Sequence, residues 1–320
     1  MPGKVLVTAT NYSKYCLPAR KMLEQNGFEV TENPHDRPYT TEELKTKVPD
    51  IVAAIVGPDR WNEDIFRVAP NLKIITRFGV GTDNIDLEAA TRHGIAVTNA
   101  KGQNAAAVAE QAIGLMLCLL REIPLLDKKI RTGEWTRTVG RNLGGKTIGL
   151  LGFGMIAQKV AEKLAGFSVK IIAFDQYPNR VAADRLGVTF AGLDEVLAQS
   201  DLVSLHLPAT EETIGIMNHG NFEKMKPGSF FVNTARGALV NDKDLYEALK
   251  SGRLAGAGLD VYNTEPTAPD NPLFTLDNVV CTPHTSGDTL DTYHDVSMST
   301  AQAVIDYFNG KKPLNLLNQI

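Results

Sequence analysis

Residues 146–175, KTIGLLGFGMIAQKVAEKLAGFSVKIIAFD, read as strand, glycine turn, helix, strand and acid, and no other stretch restricts the fold as strongly. The apolar run at 147–151 has strand character and breaks at Gly152-Phe153-Gly154, where residues without a Cβ permit a tight turn and close approach of a ligand. A helix starting near Met155 would point its first N–H groups and the positive end of its dipole into that turn, a ready site for pyrophosphate. The next strand ends in Asp175, 21 residues beyond Gly154, where a carboxylate can accept from the hydroxyls of an adenosine ribose. The third glycine position holds Ala157, small enough for close helix–strand packing. A tight turn with no ligand has the same glycines; the flanking strands and the spaced acid favour a dinucleotide.

At 320 residues the chain has length for two domains. Its net charge of −4 and its lack of a basic stripe give no footprint for nucleic acid. The opening residues run straight into a strand pattern without a leader-like apolar stretch, so a cytoplasmic location is expected. Cys16, Cys118 and Cys281 sit apart in apolar runs and are expected in the core, with neither disulfides nor a metal site. The most apolar segment, 105–120, carries Glu110 and Gln111 and is too short to span a bilayer, so it reads as a buried helix.

The first hundred residues alternate strand patterns (5–9, 28–32, 51–57, 73–79, 95–100) with helix patterns. One helix follows Ser13 and stops at Gly27; another has a capping box at Thr40 and Glu43; others follow Asn62 and Asp86. Such alternation means a parallel sheet covered by helices on both faces. Six further strand patterns, KTIGLL, KIIAFD, LVSLHL, SFFVNTA, AGAGLDV and NVVCTPH, fit a Rossmann sheet. A last helical stretch, 289–308, has no strand after it and is expected to return to the first domain. The fold class is therefore α/β with two Rossmann-like domains: a discontinuous flavodoxin-like substrate domain (1–100 and 288–320) and a doubly wound cofactor domain (101–287), with two long helices crossing a hinge. Between Pro124 and Gly144, Lys128, Lys129, Arg131, Arg137 and Arg141 read as a solvated arm anchored by Trp135, or as a phosphate or acid pocket supplied across a dimer interface.

If a nicotinamide cofactor binds, the reacting carbon needs a cation for a carboxylate, an acid/base for the oxygen and a group that tunes it. These belong at carboxyl ends of strands. Arg236 ends SFFVNTA and can fork a carboxylate; a plain surface arginine is the weaker reading at the end of so apolar a strand. His284 ends NVVCTPH, where an imidazole can protonate a carbonyl oxygen. His206 ends LVSLHL and reads as structural or cofactor-lining. Glu265, in the loop after AGAGLDV, is by itself an ordinary loop acid.

At these residues the sequence resembles the D-isomer-specific 2-hydroxyacid dehydrogenases, among them members like D-3-phosphoglycerate dehydrogenase and hydroxypyruvate reductase. The matching stretches cover almost the whole chain: RFGVGTDNIDLEAATRHGIAVTN, NAAAVAEQAIGLML, GFGMIA, HLPATEETIGIMN, MKPGSFFVNTARGALVNDKDLYEAL, AGAGLDVYNTEP and VVCTPHTSGDT. The resemblance implies that Arg236 binds substrate, that Glu265 pairs with the histidine and that His284 donates the proton. It gives Asp260 a bond to the nicotinamide carboxamide and places Gly152, Gly154, Met155, Ile156, Asp175, Leu207, Pro208, Thr213, Thr234, Ala235 and Gly287 around NAD. Arg77, Val80, Gly81 and Asn104 are implied to meet the substrate. Met155 stands where the family commonly has a polar or basic residue, and Gly57-Pro58 stand where phosphoglycerate-type members carry an arginine, with Arg60 close by. No C-terminal regulatory domain is expected. The function implied is NAD-dependent hydride transfer at C2 of a small D-2-hydroxy/2-oxo acid, either hydroxypyruvate/glyoxylate or 3-phosphoglycerate, by a homodimer without membrane contact. An NAD(H)-sensing, corepressor-like scaffold is the alternative on the same fold.

Overall fold

Runs such as IVAAIV, apolar on both faces, require cover above and below, which parallel strands joined through helices provide. In the computed structural model, which describes residues 3–35 and 37–319, two units of this kind occur. One comprises the described residues of Met1–Asn104 and Asp288–Ile320, the other Ala105–Gly287.

In the first unit the strands β1 (Lys4–Val7), β2 (Glu29–Glu32), β3 (Ile51–Val56), β4 (Ile74–Arg77) and β5 (Ala96–Asn99) form one parallel sheet in the order β2-β1-β3-β4-β5. This is the flavodoxin-like order. The helix Thr41–Lys47 starts with the capping box: Thr40 Oγ1 accepts from Glu43 N–H at 3.3 Å, and Glu43 accepts from Thr40 N–H at 2.8 Å. Asp86 caps Leu87–Arg92 through Ala89 N–H at 2.9 Å. The helix read as running from Ser13 to Gly27 is instead two, Tyr12–Tyr15 and Leu17–Gln25. Pro18 causes the break, because it has no N–H to continue a helix and suits only a first turn. The helix Leu290–Phe308, capped by Thr289, buries Ala301, Val304 and Ile305 against Val5, Val7 and Ala53 of this sheet.

The second unit is also all parallel: β6 (Thr147–Leu151), β7 (Lys170–Phe174), β8 (Val188–Phe190), β9 (Leu202–Leu205), β10 (Ser229–Asn233), β11 (Leu254–Leu259) and β12 (Val279–Cys281), ordered β12-β11-β10-β9-β6-β7-β8. Six of these strands are legible in the sequence; the seventh, β8, has three residues between Gly187 and Ala191 and is too short to show a period. The helix Ala105–Arg121 packs Ala109, Ala112 and Met116 with Ala157, Val160 and Ala161 of the helix Met155–Leu164. Among the described residues no helix is long and apolar enough to cross a membrane.

Two expectations change. Cys16 is buried and Cys118 partly so, but Cys281 is exposed, because β12 is the edge strand. Trp135 does not anchor the arm: it is 87% exposed and Val139 is 97% exposed.

Candidate active site

The order of strands in the second unit reverses at β6, which has β7 on one side and β9 on the other. A crevice for ligands opens at such a switch point, beyond the carboxyl ends of the strands. Gly152, directly after β6, has φ +94°, and a Cβ there would meet the His206 carbonyl carbon and oxygen at 2.8 Å. Only glycine lets these two strand ends pass so closely. Gly154 begins the helix Met155–Leu164; no side chain caps that start, and nothing lies within 4 Å of where a Gly154 Cβ would be. Ala157 is fully buried in the core, the close packing that its place in the motif requires. Asp175 follows β7 and accepts from Phe153 N–H at 2.6 Å and Tyr177 N–H at 2.7 Å, so it fixes the turn as well as facing its rim.

Around the same edge, Met155 is 43% exposed and Ile156 half-buried. Leu207 is buried; the exposed Pro208 offers its carbonyl to Thr213 Oγ1 at 2.6 Å. Thr234 Oγ1 is buried with no partner among the described residues, beside the half-buried Ala235. His206 Nε2 meets Ser204 Oγ at 2.9 Å, and burial pushes its pKa down to about 4, so its ring is neutral at neutral pH. An uncapped helix start, an open glycine face, a spaced acid and an orphan hydroxyl fit a dinucleotide.

At the far side of this edge, His284 Nδ1 lies 2.6 Å from Glu265 Oε2, and Glu265 Oε1 accepts from Tyr262 N–H at 2.9 Å. His284 has a left-handed backbone, φ 53°, held by its N–H on the Asp260 carbonyl at 2.7 Å. The hydrogen bond that His284 donates to Glu265 raises the His284 pKa, outweighing the opposing effect of burial. Burial alone would raise Glu265, but its bonds to His284 and to Tyr262 N–H bring it below the usual carboxylate range. The pair is thus an imidazolium beside a carboxylate over a wider pH range than either group alone would give. Arg236 follows β10, donates to the Ala235 carbonyl at 2.7 Å, and its charge acts on both Glu265 and His284. Next to it, a Cβ on Gly237 would run into the Tyr262 carbonyl. The backbones carrying Arg236 and Glu265 are in contact there.

Asp260 has a place that sequence reasoning misses. It is fully buried, and its carboxylate accepts from Thr282 Oγ1 at 2.5 Å, Thr285 N–H at 3.0 Å, Ser286 N–H at 2.9 Å and Ser286 Oγ. Both oxygens are spent on the loop that presents His284 and leads to the half-buried Gly287. The only sequence signal is an acid at a strand end facing a Thr-Pro-His-Thr-Ser run.

Within the first unit, Arg77 donates from Nε to the Gly81 carbonyl at 3.0 Å and from a terminal nitrogen to the Phe78 carbonyl at 2.5 Å. It braces the loop that contains Val80, whose carbonyl accepts from Asn99 at 2.8 Å. Asn104 Oδ1 is buried with no partner among the described residues.

The profile of the D-isomer specific 2-hydroxyacid dehydrogenase NAD binding domain matches residues 113–286, more than half of the chain. The chain belongs to this family. It is 41% identical over 299 residues to the D-3-phosphoglycerate dehydrogenase of Archaeoglobus fulgidus, covering 92% of this chain and 56% of that protein. It thus spans little more than half the length of that relative. A glyoxylate reductase of Pyrococcus furiosus is 39% identical over 308 residues, covering 93% of this chain and 91% of the relative. Among solved structures, the TT0316 protein of Thermus thermophilus superposes with a TM-score of 0.90 at 34% identity, covering 98% of this chain and 100% of that one. These relatives include named dehydrogenases and reductases, and nothing in them supports the scaffold alternative.

Proposed function

We propose that the chain is an NAD-dependent oxidoreductase that transfers hydride between the nicotinamide and C2 of a small D-2-hydroxy/2-oxo acid. The observation that carries this reading is the 2.6 Å pairing of His284 Nδ1 with Glu265, at the strand edge that also carries Arg236 and the glycine turn. Glu265 fixes the ring by its Nδ1–H and leaves Nε2 to exchange a proton with the substrate oxygen. Arg236 holds the substrate carboxylate and polarises the adjacent carbonyl. Asp260 keeps the His284 loop in place; a bond to the carboxamide asks more of a side chain this deeply buried. When bound, NAD(H) supplies or accepts the hydride. Gly152, Gly154, Met155 and Ile156 would hold its pyrophosphate, Asp175 its ribose, and Leu207, Pro208, Thr213, Thr234, Ala235 and Gly287 its remaining length. Asp175 repels a 2′-phosphate, so NAD is used rather than NADP.

The unit built of 1–104 and 288–320 serves as the substrate domain, with Arg77, Val80, Gly81 and Asn104 meeting the acid. The exposure of two large apolar side chains, Trp135 and Val139, on one short arm supports a homodimer in which a partner copy covers the arm. The protein works in the cytoplasm. The names of the relatives support both glyoxylate and 3-phosphoglycerate as substrates, and the resemblance adds hydroxypyruvate. A panel of hydroxypyruvate, glyoxylate, pyruvate and 3-phosphohydroxypyruvate with NADH decides between them, and no turnover with any of the four would refute the reading.

A further inference from the structure

The crevice uses the carboxyl ends of the second unit's strands, but a cavity of about 220 Å³ lies at their amino ends. Ile148, Leu202, Ser229 and Phe230 line it from the starts of β6, β9 and β10, and Arg141, Lys146, Lys226 and Asp201 supply its charges. Three cations against one carboxylate leave an excess of two positive charges.

The charges are not equally available. Asp201 is engaged at both oxygens: one accepts from Thr147 N–H at 2.8 Å and the other from Lys226 Nζ at 2.8 Å. That pair neutralises itself and turns the carboxylate toward the start of β6. Arg141 and Lys146 remain. Arg141 is fixed in place, with its backbone N–H on the Leu120 carbonyl at 2.7 Å, one terminal nitrogen on the Gly228 carbonyl at 2.7 Å, and its guanidinium 5.2 Å from the centre of the Phe230 ring. A guanidinium has five N–H donors, so this oriented fork keeps most of them for a ligand. Lys146, half-buried, makes no ion pair within 4 Å among the described residues, although its charge also acts on Asp201. Ser229 is 2% exposed, and its hydroxyl finds no hydrogen-bond partner among the described residues. Buried hydroxyls are ordinarily paired, and this residue lines the cavity.

We propose that this cavity binds a small phosphate dianion at a site separate from the dinucleotide crevice. Two uncommitted cations match the two charges of phosphate, and its oxygens suit a forked guanidinium, an ammonium and a hydroxyl donor together. A zwitterion is disfavoured because the one carboxylate is already paired with Lys226.

Calorimetric titration of the whole chain with inorganic phosphate tests the proposal, at fixed ionic strength and with saturating NADH. The expected result is one saturable phosphate per chain. Lys146→Gln should weaken it about tenfold or more, as the loss of a charged hydrogen bond implies, and Ser229→Ala should weaken it several-fold. Neither variant should change the Kd for NADH, which also reports that each has folded. A parallel titration with glycerol 3-phosphate shows whether the cavity takes a phosphate monoester or the free ion. No saturable phosphate in the parent, displacement of phosphate by NADH, or parental phosphate affinity in both variants would overturn the site.

Discussion

Replacing Glu265 by Gln preserves the shape of the side chain and its place beside His284 Nδ1 while removing its charge. Two unit charges about 4 Å apart attract by about 1 kcal/mol in a water-like medium and about 4 kcal/mol near a protein surface. One pKa unit corresponds to about 1.4 kcal/mol. The two side chains are 49% and 36% exposed, so solvent screening places the pair toward the weaker limit, and the loss should lower the His284 pKa. Reduction requires the charged imidazole, so kcat/KM for a 2-oxo acid falls as pH rises through that pKa. In Glu265→Gln the falling limb should therefore move toward lower pH. Oxidation requires the neutral ring, so its rising limb should move in the same direction. Initial rates across pH 5 to 9, in both directions, read both limbs. A limb that stays where it was, or moves upward, shows that a group other than Glu265 tunes the acid.

Asp175→Ala should narrow the preference of kcat/KM for NADH over NADPH and, by stranding Phe153 N–H, cost about 1–2 kcal/mol of stability; a parent that uses the two cofactors equally would sink the assignment. Gly237→Ala forces a Cβ into the Tyr262 backbone and should lower the Tm by roughly 10 °C, a cost of about 3 kcal/mol. A parental Tm would show that the two backbones are not in contact there. Trp135→Ala should shift the solution mass from two chains toward one by light scattering at micromolar concentration; a monomeric parent refutes the dimer.

Much of this is legible without any coordinates. Alternating apolar runs and helix caps at Thr40 and Asp86 specify the first sheet because each is a local signal. The glycine turn and Asp175 are readable because their spacing is set by one βαβ unit. What escapes depends on contacts distant in sequence or on signals too brief to have a period. Asp260 holds the 282–286 loop across more than twenty residues, and its only local signal is that of an acid at a strand end. The strand at 188–190 has three residues. Cys281 looks like core because its run is apolar, yet the strand falls at the sheet edge, which only the strand order reveals. Glu265 has no signal of its own; without the resemblance it is one loop acid among many, and only the fold brings it to His284.

Hydride transfer to C2 is tested most directly by isotope. NADH with both C4 hydrogens of the nicotinamide replaced by deuterium, supplied with whichever chiral-product 2-oxo acid turns over fastest, should yield the D-2-hydroxy acid with deuterium at C2, seen by NMR and chiral separation. An L-configured product, or deuterium absent from C2, would contradict the assignment.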